Sequence, residues 1–163
     1  MTTIVVGPAE ALSRALTEAF SDLVVIDGNA AVDETIWQTL VCLQAVYASM
    51  TRGGRIVLIV PTIGMAGAAG LVDYTTAIEG IRAMAKSAAR QWGSEGVGVN
   101  MVAAPLAVFA SPGGASHLSA AAVRDDRTLI HSIIETAKFL LRSDLDQLTG
   151  ETVVVDGGSV MLP

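Results

Sequence analysis

One cysteine, two lysines, few aromatic residues and no run of basic charge are the shortages of this chain, and each removes a class of function. Cys42 alone permits no intrachain disulfide, and its apolar setting fits a small buried hydrophobe in a reducing compartment rather than a metal ligand. His117 and His131 have no second histidine or cysteine at ligand spacing, so no metal site is expected. A formal charge of −6 without a Lys/Arg cluster argues against nucleic acid and against an anionic membrane surface. No basic segment precedes a long apolar stretch near the start, and no run of about 18 apolar residues occurs. Neither a secretion signal nor a membrane span is expected, and the cytoplasm is the natural location.

What the chain has is length and hydrophobicity: 163 residues, 52% of them hydrophobic, enough for a single domain (1–163) with a real core. Short β-branched runs alternate with longer stretches of helical period, the pattern of a parallel sheet wrapped by helices. The runs are Thr3 to Val6, Leu23 to Ile26, Arg55 to Val60, Gly96 to Val102 and Thr152 to Val155. Helices are expected after a turn at Gly7 to near Phe20, from Asp33 to about Met50, from Tyr74 to Trp92 and from roughly Thr128 to Leu141. Ala104 to about Arg127, with scattered Pro, Gly and Ser, is expected to be a loop.

Several spaced motifs in order carry a family resemblance. Gly54-Arg55-Ile56-Val57, Gly64, Tyr74, Val99-Asn100-Met101-Val102-Ala103 and Thr149-Gly150-Glu151-Thr152-Val153-Val154-Val155-Asp156-Gly157-Gly158 together resemble the short-chain dehydrogenase/reductases, in their ketoacyl-reductase-like branch. The resemblance implies a Rossmann-like doubly wound parallel sheet, reduced here from seven strands to about five, NAD or NADP as cofactor, and assembly into dimers or tetramers. It covers Gly53 to Met161 well and the N-terminal third loosely.

The departures fall on the family's functional positions. Tyr74 matches the proton-donating tyrosine, but the residue one turn on, where a lysine lowers the phenol's pKa and orients the cofactor ribose, is Ile78. Without it the phenol should stay near its ordinary value of roughly 10. Thirteen residues before Tyr74, the place of the family's serine, stands Pro61. Thr62 is adjacent, yet in an extended segment its hydroxyl would point to the opposite face. The family's helix asparagine has no clear match, Thr35 and Gln44 being the candidates. The loop on the nicotinamide side reads Ala104-Pro105.

The phosphate loop is similarly eroded. Gly7 matches the first glycine of the family's turn, while Ala11 and Ser13 fall at the other two and Glu10 adds negative charge near the diphosphate. A strand–turn–helix connection kept for packing is the preferred reading. Asp27, twenty residues after Gly7, is spaced to grip a ribose, which would make Leu23 to Ile26 the family's second strand. The competing reading makes it the fourth. In the family order 3-2-1-4-5-6-7, losing strands two and three leaves a contiguous sheet, whereas losing strand four opens a gap beside strand one, so topology favours the fourth.

Other conspicuous residues have structural readings. Tyr74 itself can serve packing. Trp37 and Trp92 are core or interface anchors, Met65 to Gly70 is a flexible apolar loop, and Asp125, Asp126, Asp144 and Asp146 are solvated turn charges. The Tyr74 helix, with Ile78, Ile81, Met84, Ala85, Ala88 and Trp92, can present a wide apolar face, and the resemblance makes this helix and its predecessor a subunit interface. Three functions follow. One is a catalytically silent subunit that binds no cofactor and supports an active hydroxyacyl or ketoacyl dehydrogenase, in a homo-oligomer or with a full-length short-chain dehydrogenase. Another is a reduced NAD(P)-dependent reductase using Tyr74. The third is a small-molecule binding module near Pro61, Met65 and Ala104.

Overall fold

A computed structural model describes residues 1–6, 10–26, 31–109 and 126–161. Five parallel strands form one sheet: β1 (Thr2–Val6), β2 (Leu23–Ile26), β3 (Gly54–Pro61), β4 (Val97–Ala104) and β5 (Thr152–Val154). Helices α1 (Glu10–Ala19), α2 (Val32–Ser49), the single turn α3 (Ile63–Ala66), α4 (Val72–Trp92) and α5 (Asp126–Leu140) connect them. This is the doubly wound α/β sheet read from the sequence, and no described helix is long and apolar enough to cross a membrane.

Strand order is β2-β1-β3-β4-β5. β1 pairs on one side with β2, through Ile4 opposite Val24, and on the other with β3, through Ile4 opposite Leu58. This overturns the placement of Leu23 to Ile26 as a fourth strand between β1 and the rest. β2 lies outside β1, where the family keeps its second strand, and the anticipated gap is closed by direct pairing of β1 with β3. Backbone groups of a central strand cannot stay unpaired in the interior, so the sheet seals along the next available edge. The result is the order of flavodoxin-like doubly wound sheets, with its reversal point between β1 and β3.

Right-handed crossovers leading to opposite sides of β1 put α1 and α2 on opposite faces. One core joins the sheet to α2 and α4 through Ile4, Val6, Ile56, Leu58, Val99 and Met101. The other joins it to α1 and α5 through Val5, Val57, Ile59 and Val102, against Leu12, Leu16, Ile133 and Leu140. Alternation along each strand divides its residues between the two. β3 and β4 are buried on both faces; β3 accordingly reads as a continuous apolar run, whereas β4, whose sequence alternates through Gly98 and Asn100, is enclosed on both faces all the same.

Polar side chains fasten the strand starts and the segment before β5. Asn100, 1% exposed, donates from Nδ2 to Leu148 O (2.8 Å) and accepts at Oδ1 from Glu151 N (3.0 Å), while Thr149 Oγ1 accepts from Val99 N (3.1 Å). Two of the family motifs are thereby laced together. Arg55 is also buried; its guanidinium donates to the carbonyls of Gly54 and Gly96 and pairs with Asp146. Asp146 and Asp144 are solvated charges, as expected, that also pair with Arg55 and Arg142 respectively. Gly53, at φ 68°, comes so close to the start of β4 that a Cβ would lie 2.8 Å from Gly96 O, a position no side chain fills without displacement. At the far end of α2, Tyr47 stacks on Trp92 (4.4 Å between ring centres) and donates to Glu95 Oε2 (2.6 Å). Trp92 is thus a core residue.

Replacing Asn100 with Ala removes both bonds and strands two backbone groups. A loss of roughly 2–4 kcal/mol in urea unfolding is expected, and a loss within error would show that the lacing is dispensable.

Candidate functional site

In open α/β sheets ligands sit outside the carboxyl ends of the strands. Here those ends bring together Pro61, closing β3, Ala104, closing β4, and Thr62, whose N–H donates to Ala104 O at 2.8 Å. All three are buried, Ala104 wholly and in the α1/α5-side core. Gly7 and Asp27, the candidate cofactor residues, lie outside the described residues, as do Asp125 and His117.

Thr62 does not obey the extended-segment argument. It has left the strand, with φ −68° and ψ −19°, and stands at the N-cap of α3 without a side-chain capping bond. The stretch after it is partly helical, a turn through Ala66, where a flexible loop was expected.

Tyr74 occupies the first turn of α4, half-buried against the α2/α4-side core. Ile78, four residues on and on the same stripe of the helix, is fully buried in that core. The α3 turn rests directly on it: a Cβ on Gly64 would lie 3.0 Å from Ile78 Cγ2 and 2.9 Å from Glu79 Oε1. No room for an ammonium is left between the turn and the helix. Burial pushes the Tyr74 phenol up to about 12, beyond the ordinary value expected from the sequence, because no cation among the described residues offsets the loss of water. At neutral pH it is a neutral phenol, reluctant to ionise.

The ionic group beside this contact is an acid. Glu79 Oε2 accepts from Arg82 Nη2 (2.8 Å) and Nε (3.0 Å), while its Oε1 is buried without a partner. Sequence reading passed over Glu79, since a Glu–Arg pair three residues apart on a helix looks like ordinary surface charge. The residues present do not fit a nicotinamide dinucleotide at this point: the position that would hold the ribose is a core isoleucine.

Elsewhere, Asp156 caps the segment after β5, accepting at Oδ1 from Gly158 N (2.9 Å) and at Oδ2 from Val160 N (2.7 Å). A cavity of about 380 Å³ lies beside this turn, between Thr128, Ser132 and Val155. His131 is exposed on α5, burial pushes the Cys42 thiol up, and no cluster among the described residues could hold a metal.

Comparison with known proteins agrees with this architecture. A family model described as enoyl-(acyl carrier protein) reductase matches residues 5–160. The 3-oxoacyl-[acyl-carrier-protein] reductase of Synechocystis is 30% identical over 143 residues, covering 83% of this chain and 57% of the relative. That of Salmonella typhimurium is 31% identical over 124, covering 68% and 48%. The chain spans about half the length of these curated relatives. The Vibrio cholerae enzyme aligns over 186 positions, more than the chain possesses, at 27% identity and 94% coverage of this chain, because the relative carries internal residues missing here. Among solved structures, a putative oxidoreductase of Escherichia coli K-12 has a TM-score of 0.65 at 15% identity, covering 98% of this chain and 97% of that one. The reductase LugOII, which acts in keto-reduction at C1 during lugdunomycin biosynthesis, has a TM-score of 0.60 at 17% identity, covering 91% and 69%. These likenesses establish the fold.

Two measurements probe the site. In a Tyr47→Phe background Tyr74 is the last phenol, and its absorbance should titrate near 12. A folded-state value above the unfolded one of about 10 means that stability is unaffected below pH ~10 and falls as pH rises toward ~12; a midpoint at or below 10 would show a hidden cation. Ile78→Lys, which restores the family spacing, should cost roughly 4 kcal/mol or more in chemical denaturation. A variant of unchanged stability with an acidified Tyr74 would contradict the burial argument.

Proposed function

Because this chain is a ketoacyl-reductase-like member of the short-chain dehydrogenase/reductases, we propose that it is a catalytically silent subunit supporting an active hydroxyacyl or ketoacyl dehydrogenase. The observation that carries the reading is the stripe from Tyr74 to Ile78: the phenol has neither a lysine below it nor a serine opposite, and Ile78 is committed to the core. Reduction of a carbonyl by this family's chemistry needs a proton donor that gives up its proton near neutrality. Tyr74 holds its proton instead. Its side chain contributes packing, and the domain contributes a scaffold without a cofactor, in the cytoplasm.

Association is the second half of the proposal, and exposed apolar side chains on α2 support it. The apolar face of α4, with Ala77, Ile78, Ile81, Ala85, Ala88 and Trp92, is turned inward onto the sheet, which it covers together with α2. Apart from Val72 at the start of α4, the exposed large apolar side chains of this layer are on α2: Trp37 at 61% and Val41 at 45%, four residues apart and so on one stripe. An exposed tryptophan beside a valine is the composition of an interface anchor. The partner is a second copy or a full-length short-chain dehydrogenase.

Three linked results test this. The purified chain should not bind NADH or NADPH in calorimetric titration and should not turn over a ketoacyl thioester. It should sediment as an assembly, alone or with a co-expressed full-length dehydrogenase. Trp37→Glu should weaken that assembly by roughly 30-fold, the equivalent of a 2 kcal/mol anchor. Turnover by the chain alone, abolished by Tyr74→Phe, would establish the reductase reading instead. A stable monomer indifferent to Trp37→Glu would refute the association.

A further inference from the structure

We infer, on the footing of the association proposed above and as a choice between its partners, that the outer face of the α2/α4 layer docks a second copy of this chain, turned end for end. Acid gathers at one end of that layer, base at the other, and apolar side chains lie between. Such a face is complementary to itself.

At the end nearest the crevice stand Asp33 and Glu34, in the first turn of α2, and Asp73, in the first turn of α4, all exposed. At the opposite end stand Lys86 and Arg90 of α4 and Arg52 just after α2, also exposed. None of these has an ion pair among the described residues. Of the remaining charges in the layer, Glu79 is neutralised by Arg82, and Glu95 is tied to the Tyr47 hydroxyl, which leaves the basic end net positive. α2 itself contains no basic residue.

The two helices run in the same direction and keep a steady offset. Ile36 packs level with Gly80, where a Cβ would lie 3.4 Å from Ile36 Cδ1, and Tyr47 stacks on Trp92 at 4.4 Å, offsets of 44 and 45 residues. By that offset Lys86 and Arg90 stand level with residues 41–46 of α2. At about 1.5 Å per residue, Asp33 and Glu34 are roughly 15 Å from them along the layer, and Trp37 and Val41 lie midway. A two-fold axis at the level of Trp37 and Val41, perpendicular to the helices, exchanges the charged ends and lays the exposed apolar stripes of the two copies together.

The basic end is also shaped to receive. A shallow depression of about 340 Å³ there is lined by Lys86, Ser87, Arg90 and Gln91, and in the exchanged arrangement it faces the acids at the start of the other copy's α2. Ala83 and Ser87, exposed on α4 at the level of Trp37 and Val41, are small and let a second layer approach. The dipoles of α2 and α4 are opposed by those of the second copy. A different dehydrogenase has no built-in match to this distribution of charge, whereas a second copy carries its complement by symmetry.

Sedimentation of the full chain at low and high salt, beside charge-reversed variants, is the test. The wild type should form a dimer whose dissociation constant rises with ionic strength. Lys86→Glu with Arg90→Glu, and separately Asp33→Lys with Glu34→Lys, should each weaken self-association by about tenfold or more. An equimolar mixture of the two variants should regain it, because every charged contact in the mixed dimer again joins opposite signs. The salt dependence is read on the wild type and stands even if a reversed variant misfolds. A wild-type dimer indifferent to salt and to both reversals would overturn the charge pairing while leaving association in place. A chain that is monomeric alone and binds only a full-length dehydrogenase would overturn the second copy as partner, again without touching association; a monomer that binds neither would remove both.

Discussion

Direct pairing of β1 with β3 is the constraint on which the rest depends. With nothing between them, Thr2 to Val5 align with Ile56 to Ile59 and the sheet is continuous from β2 to β5. Had the strand next to β1 been removed without this closure, a row of backbone donors and acceptors would have faced the interior. Closure also divides the helices between the two faces, α1 and α5 on one and α2 and α4 on the other. A chain that matches about half the length of these curated relatives thus retains a complete two-sided core.

That economy has a consequence at the crevice. Each face of the smaller sheet needs cover, and α4 gives its whole inward stripe to the task, down to the residue one turn below Tyr74. An amine at that position would have to be solvated at the mouth of the crevice, whereas here the α3 turn sits on the isoleucine and excludes water from it. Burial also removes water from the Tyr74 phenol, and with no lysine one turn on its pKa rises. The isoleucine in place of a lysine one turn below Tyr74 and the closed packing of the core are the same arrangement of side chains.

Much of the fold was legible from periodicity. β3, a wholly apolar run, stood out as a central strand and β4 as an alternating one, and α4 was visible from Tyr74 to Trp92, with only Val72 and Asp73 added at its start. The position of β2 was not legible, because four apolar residues fit an edge as well as a centre, and the choice rested on a gap that backbone pairing closes. Nor could the inward turn of the α4 stripe be distinguished from an outward one, since an amphipathic pattern states that a face is buried without saying against what. Arg55 and Asp146, 91 residues apart, met only through the fold, and so did Asn100 and Glu151. At the site, the substitutions at Pro61 and Ile78 were plain in the sequence; the occupancy of the space beside them by Gly64 was not.

Cross-strand proton contacts in the sheet test the central claim most directly. The account predicts backbone nuclear Overhauser effects linking Thr3 and Ile4 to Val57 and Leu58, with Leu23 to Ile26 contacting β1 alone. Contacts from Leu23 to Ile26 to both β1 and β3, with none between β1 and β3, would place that strand in the middle and contradict it.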